Sequence, residues 1–204
     1  MDPVDLALVL AVDGSASVTY EEFGLIAGGM AAALRDPAVV NGLVGDGRSA
    51  LLSLLLWSGR GQQDVITPWT RVASPPELGA FAQAVEDMPR TVPAGQTAIG
   101  EALLASLTLL GNAPAGVKRA VVDVVGDGRS NDGIAPGPIR DRMAAAGITI
   151  NGLCILHEEP DLVVSYTEEV IGGPAAFAIV CPDYRGFAEA MRQKLTREIP
   201  GPIV

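Results

Sequence analysis

The sequence predicts an α/β fold: an open, doubly wound sheet of six mostly parallel strands, one edge strand antiparallel, with helices on both faces. Three observations carry that prediction. Wholly apolar runs such as residues 6–12 read as strands covered on both faces, the mark of a parallel sheet. These runs alternate with stretches of helical periodicity, and only one pair is joined closely enough for a hairpin. The 204 residues are 49% hydrophobic and 19% charged, which suits a sizeable buried core and excludes wholesale disorder. No Pro/Ser/Gly-rich linker divides the chain, so residues 1–204 are expected to form one domain.

The first strand, 6–12, opens into the small polar loop Asp13-Gly14-Ser15-Ala16-Ser17. A helix follows over 19–35, with Thr19 and Glu22 at capping-box spacing, and Asp36-Pro37 is read as its end. Residues 49–57 form the second strand. Gly59-Arg60-Gly61 turns the chain into a third over 63–69, the antiparallel partner. Pro75 and Pro76, tolerated in a first helical turn, begin a helix that runs to about 87. Two prolines and a glycine make 88–96 a loop. An Ala/Leu-rich helix over 97–110 ends at Gly111-Asn112, and the fourth strand, 119–125, closes in Gly126-Asp127-Gly128. Helix 139–146, capped by Gly147, leads to a fifth strand over 148–156. A helix over 162–171, a short sixth strand over 176–181 and a closing helix over 184–198 complete the order. The hexapeptide Val44-Gly-Asp-Gly-Arg-Ser49 recurs unchanged from Val125 to Ser130. One copy precedes a strand and the other follows one, so it marks no repeat.

Charge and rare residues narrow the function. A net charge of −10, with lysine only at 118 and 194, argues against nucleic acid and anionic membrane as partners. His157 is the single histidine, so His-rich zinc sites and Ser-His or Cys-His nucleophiles lack material. A metal here must take oxygen ligands, which points to Mg²⁺, Mn²⁺ or Ca²⁺. Cys154 and Cys181 are too distant for a C-x-x-C motif. They read as buried free thiols, with one disulfide as the alternative if they lie on neighbouring strands. No apolar run reaches the ~18 residues of a membrane-spanning helix, so no membrane insertion is expected. Met1-Asp2-Pro3 shows no leader pattern.

Ligands of such sheets sit beyond the carboxyl ends of strands, where the strand order reverses. Asp13 and Asp127 each follow a strand. Ser15 and Ser17 alternate with Asp13, so three oxygens can converge, and Gly95-Gln96-Thr97 brings a hydroxyl to a helix start. Two carboxylates and three hydroxyls make a plausible six-coordinate oxygen site once waters are added. Asn131 and Asp132 lie close enough in sequence to support it by hydrogen bonding.

The pattern Asp13-x-Ser15-x-Ser17, Thr97 in its Gly-Gln-Thr loop and Asp127 after the fourth strand resembles the von Willebrand factor type A domain, which has a Rossmann-like sheet. Over four segments (Val4 to Val9, Thr97 to Gly100, Ile150 to Leu153, Val170 to Pro174) the chain is also similar to a bacterial family of uncharacterised proteins, domain of unknown function 1194. The resemblance implies a metal-ion-dependent adhesion site with Asp13, Ser15, Ser17, Thr97 and Asp127 as ligands. Mg²⁺ is preferred over Mn²⁺ or Ca²⁺. It further implies a protein partner that offers an Asp or Glu to the metal, and no catalysis. A periplasmic or secreted setting is favoured over the cytoplasm if a leader has been removed. Ala16 departs from the family loop, in which glycine commonly stands between the serines.

Gly126 to Asp132 also resembles the acidic motif of haloacid-dehalogenase-type phosphatases, with Asp13 as nucleophile and Asp127 on Mg²⁺. That chemistry wants an acid two residues after the nucleophile, where Ser15 stands, and a lysine on the phosphoryl group. Trp57 and Trp69 are expected to pack around the hairpin, and His157 to sit in a solvated loop.

Overall fold

The structure is a computed structural model that describes residues 2–199; Met1 and residues 200–204, the ends of the expected 1–204 domain, lie outside it. The strands are β1 (Leu6–Asp13), β2 (Ala50–Trp57), β3 (Gln63–Val72), β4 (Ala120–Gly126), β5 (Thr149–Ile155) and β6 (Ala178–Cys181). They lie in the order β3-β2-β1-β4-β5-β6, and every neighbouring pair is parallel except β2 and β3. The fold is therefore the six-stranded α/β sheet with one antiparallel edge strand that the apolar runs predict. β1, β2 and β5 are buried along their whole lengths, as strands covered on both faces must be.

Helices α1 (Tyr20–Leu34), α2 (Pro37–Val44), α3 (Pro75–Glu86) and α7 (Phe187–Glu198) cover one face. They pack on Leu6, Leu8, Leu10 and Val12 of β1. Helices α4 (Ile99–Gly111), α5 (Pro136–Ala145) and α6 (Leu162–Ser165) cover the other, against Val9 and Ala11. The twofold alternation of β1 thus feeds two separate cores. No single helix among the described residues is long and apolar enough to cross a membrane.

Several local readings change. Thr19 caps α1 through a complete capping box with Glu22, as its spacing predicts. Asp36-Pro37, however, starts a helix as well as ending one. The Asp36 side chain accepts from the Ala38 amide at 2.9 Å and Pro37 occupies the first turn of α2. β3 continues past Trp69 to Val72. The helix expected over 162–171 is one α turn followed by a π turn, Tyr166–Val170, closed by Ile171 N donating to Tyr166 O at 2.8 Å. The closing helix begins as a 3₁₀ turn, Tyr184–Gly186.

Cys154 and Cys181 do lie on neighbouring strands, and both are free. Cys154 pairs with Val180 and Ile155 with Cys181, an offset of one residue. The two thiols therefore enter opposite cores, and the sheet itself separates them, which rules out the disulfide alternative.

A buried charged cluster was invisible in the sequence. Lys194 of α7 is fully buried, contacts Asp123 in the middle of β4 and lies 2.8 Å from Glu198 Oε2. The same Glu198 oxygen accepts from Asn151 Nδ2 at 2.9 Å. Burial opposes the Lys194 charge, but Asp123 and Glu198 outweigh it and hold its pKa above the ordinary lysine value.

Candidate metal centre

β1 and β4 are adjacent, and the chain leaves them in opposite directions, β1 toward β2 and β4 toward β5. The crevice at their carboxyl ends is the reversal point at which such sheets bind ligands. Asp13 closes β1 and Asp127 follows Gly126, the last residue of β4.

The loop after β1 folds so that its side chains converge. The Ser15 amide donates to Asp13 Oδ1 at 2.7 Å, an Asx turn that sets the carboxylate facing its own loop. Ser15 and Ser17 hydroxyls lie 3.2 Å apart, and Ser17 Oγ donates to Asp127 Oδ1 at 2.7 Å. Four of the five candidate residues thus form one hydrogen-bonded chain. Thr97, also buried, stands beside it: its Oγ1 lies 3.8 Å from the point where a Gly128 Cβ would be. The loops are stitched together by Ala16 N donating to Gly95 O at 2.8 Å.

Asn131 clamps Thr97 from both sides, its Oδ1 accepting from Thr97 N and its own N donating to Thr97 O, each at 2.9 Å. Asp132 turns away, and its Oδ2 accepts from the Arg60 amide at 2.8 Å. Two further residues were missed. The Tyr184 hydroxyl donates to Asp127 Oδ2 at 2.8 Å. Arg90, in the proline-rich loop, donates to the carbonyls of Gly14, Ser15 and Val18 at 2.7 to 2.9 Å. The only sequence signal for Arg90 is a charge inside an otherwise uncharged Pro-rich loop, and nothing marks Tyr184.

The electrostatics are one-sided. Asp13 and Asp127 are both fully buried, and among the described residues no lysine, arginine or histidine pairs with either. Burial, and then the charge of Asp127, push the Asp13 carboxyl up to about 7. Asp13 Oδ2 is buried with no hydrogen-bond partner. Two buried carboxylates, hydroxyls between them and, among the described residues, no cation paired with either form a donor set that fits a hard dication held by oxygen.

Neither lysine serves the phosphatase chemistry. Lys118 pairs with Asp5 at 2.8 Å beside the opposite end of β4, and Lys194 is committed to Asp123 and Glu198. His157 is half exposed, its ring edge-on to Tyr184 with centroids 5.9 Å apart. Trp57 is buried, and Trp69 donates its indole N–H to the Leu109 carbonyl at 3.0 Å.

Residues 3–203 match the family described as protein of unknown function (DUF1194). The chain belongs to that family. No curated protein matches it in sequence. Its fold is that of von Willebrand factor A domains, as solved structures show. A von Willebrand factor type A protein from Catenulispora acidiphila superposes with a TM-score of 0.65 at 18% identity, over 98% of this chain and 44% of its own. Proximal thread matrix protein 1 from the mussel byssus, solved with a zinc-occupied MIDAS motif, gives 0.67 at 17% identity over 97% and 48%. This chain spans less than half the length of both. The von Willebrand domain of a type V pili tip protein from Porphyromonas gingivalis gives 0.62 at 11% identity over 98% of each chain.

Proposed function

We propose that residues 1–204 form a single divalent-cation-dependent protein-binding module of adhesion type, without catalysis of its own. The metal would be held by Asp13, Ser15, Ser17, Thr97 and Asp127. The observation that carries this reading is the pair of buried carboxylates, Asp13 and Asp127, joined through Ser15 and Ser17 and lacking any cationic partner among the described residues. The zinc-occupied motif of the byssus protein supports the same reading by similarity of fold. Bound there, the cation supplies an electrophilic position for a carboxylate from outside. Mg²⁺ suits a compact set of two carboxylates and three hydroxyls better than the roomy cage Ca²⁺ prefers, with Mn²⁺ an equivalent probe. The partner would be a protein that presents an Asp or Glu. Pilus and matrix proteins among the similar structures favour a periplasmic or secreted setting.

Each residue has a task. Asp13 and Asp127 bring the charge, Ser15, Ser17 and Thr97 bring neutral oxygens, and Arg90 and Asn131 fix the two loops from behind. A ligand that binds only the folded state stabilises it by about 2.7 kcal/mol at a hundred times its Kd. Thermal melting and titration calorimetry with MgCl₂, MnCl₂ and CaCl₂ therefore test the reading. Saturable stabilisation is expected for the native chain and its loss in Asp13→Ala and Asp127→Ala. No stabilisation at millimolar metal would overturn it.

A further inference from the structure

Beneath the candidate site lies a tyrosine that none of the described contacts employs. Tyr166 opens the π turn after α6 and is fully buried. Its ring packs closely on β5 because Gly152 has no side chain: a Cβ there would fall 2.7 Å from Tyr166 Cδ1. Its hydroxyl reaches the neighbouring strand at Gly126. A Cβ on Gly126 would fall 2.7 Å from the Tyr166 hydroxyl and 3.0 Å from Asp13 Oδ2. Both oxygens therefore crowd the same side of Gly126, where no side chain fits.

Neither oxygen has a hydrogen-bond partner, and both are buried. Two orphaned polar atoms facing the same point are rare, because each costs about 1–3 kcal/mol unless satisfied. One is an acceptor and the other a donor. One water in reach of both would satisfy them, and such a bridge is enthalpically close to a direct hydrogen bond. Tyr166 also opens a π turn, and such turns are frequent at functional sites.

We propose that Tyr166 is a positioning residue for the metal site, its hydroxyl supplying through one water the hydrogen bond that Asp13 Oδ2 lacks. The inference deepens the metal reading above and rests on it. Asp13 is then held from both sides, Oδ1 by the Ser15 amide and Oδ2 by Tyr166. Asp127 is held in the same manner by Ser17 and Tyr184. Each carboxylate of the site is oriented by one loop hydrogen bond and one tyrosine from the protein interior. Outer partners of metal ligands contribute about 10- to 100-fold in affinity.

The test is Tyr166→Phe, which keeps the ring and removes only the hydroxyl. Mn²⁺ affinity is measured by calorimetry on the native chain, Tyr166→Phe and Asp127→Ala, and melting is recorded without metal. The expected result is about a tenfold or greater loss of Mn²⁺ affinity in Tyr166→Phe, with metal-free melting unchanged or raised. Unchanged affinity in Tyr166→Phe, with binding abolished in Asp127→Ala, would overturn the role of Tyr166 and leave the metal site standing. A fall in affinity matched by an equal fall in metal-free stability would mark Tyr166 as a packing residue and overturn the inference. No Mn²⁺ binding by the native chain would overturn the metal reading and this inference with it.

Discussion

Replacing Lys194 by methionine removes a buried charge while keeping most of the side chain's volume. In the native protein its ammonium contacts Asp123 and lies 2.8 Å from Glu198 Oε2, with all three side chains buried. Burial and the adjacent Glu198 push the Asp123 carboxyl well above its ordinary range. Burial also opposes the Glu198 charge, yet Lys194 holds that carboxyl below its ordinary value. The ammonium thus favours the charged form of Glu198, while burial drives Asp123 toward its neutral form. Without the ammonium, Glu198 must also take a proton, which at pH 7 costs about 3.7 kcal/mol for a group of ordinary pKa about 4.3. The figure agrees with the roughly 3–5 kcal/mol lost when one partner of a buried pair is removed. In the variant the folded pKa of Glu198 moves from below to above its unfolded value. An acid raised in this way loses stability as pH climbs past the unfolded pKa, by about 1.4 kcal/mol per unit. Lys194→Met should thus cost about 4 kcal/mol at pH 7 and only about 1 kcal/mol at pH 5. Urea unfolding of both chains at the two pH values reads this directly. An equal loss at both, or a loss under about 1 kcal/mol at pH 7, would refute the reasoning.

Other perturbations follow from single contacts. Arg90→Ala frees three carbonyls of the loop after β1 and should cost about 2 kcal/mol in urea unfolding, with Mn²⁺ affinity falling at least about tenfold; unchanged affinity would contradict its clamping role. Asn131→Ala unfastens Thr97 and should weaken Mn²⁺ by about tenfold in calorimetry, with a stability loss near 1 kcal/mol. Thr19→Ala removes half of the capping box on α1, and a drop of about 2–4 °C in Tm is expected by calorimetric scanning. A thiol reagent under non-reducing conditions should label Cys154 and Cys181 only after unfolding, since both are buried and burial raises the Cys154 thiol to about 12; immediate labelling of the folded chain would count against their placement.

The strands were legible because a parallel sheet covered on both faces demands unbroken apolar runs, and β1, β2 and β5 supply them. The convergence of Asp13, Ser15, Ser17 and Asp127 was legible because these residues lie at strand ends or in the short loop that follows one, where local spacing carries information. What stayed hidden depends on contacts between distant segments. Asp123 sits inside an otherwise apolar strand, and only the packing of α7 on β4 gives it Lys194 as a partner. Tyr184 and Arg90 reach the site from elements with no recognisable pattern. α2 was lost for another reason: Pro37 is both a helix terminator and a good first-turn residue, and Asp36 decides in favour of the second by capping.

The duplicated hexapeptide Val-Gly-Asp-Gly-Arg-Ser gives the chain an internal reference. In the first copy Asp46 sits exposed in a left-handed turn at φ 54°, near Arg48; in the second Asp127 is sealed at the end of β4 beneath Tyr184. The covalent neighbourhood is the same, so every difference between these two aspartates is produced by the fold. A cation that recognised the local peptide would bind twice per molecule, whereas one that recognises the sheet's crevice binds once. The stoichiometry of a titration therefore separates chemistry encoded in six consecutive letters from chemistry assembled by the tertiary structure.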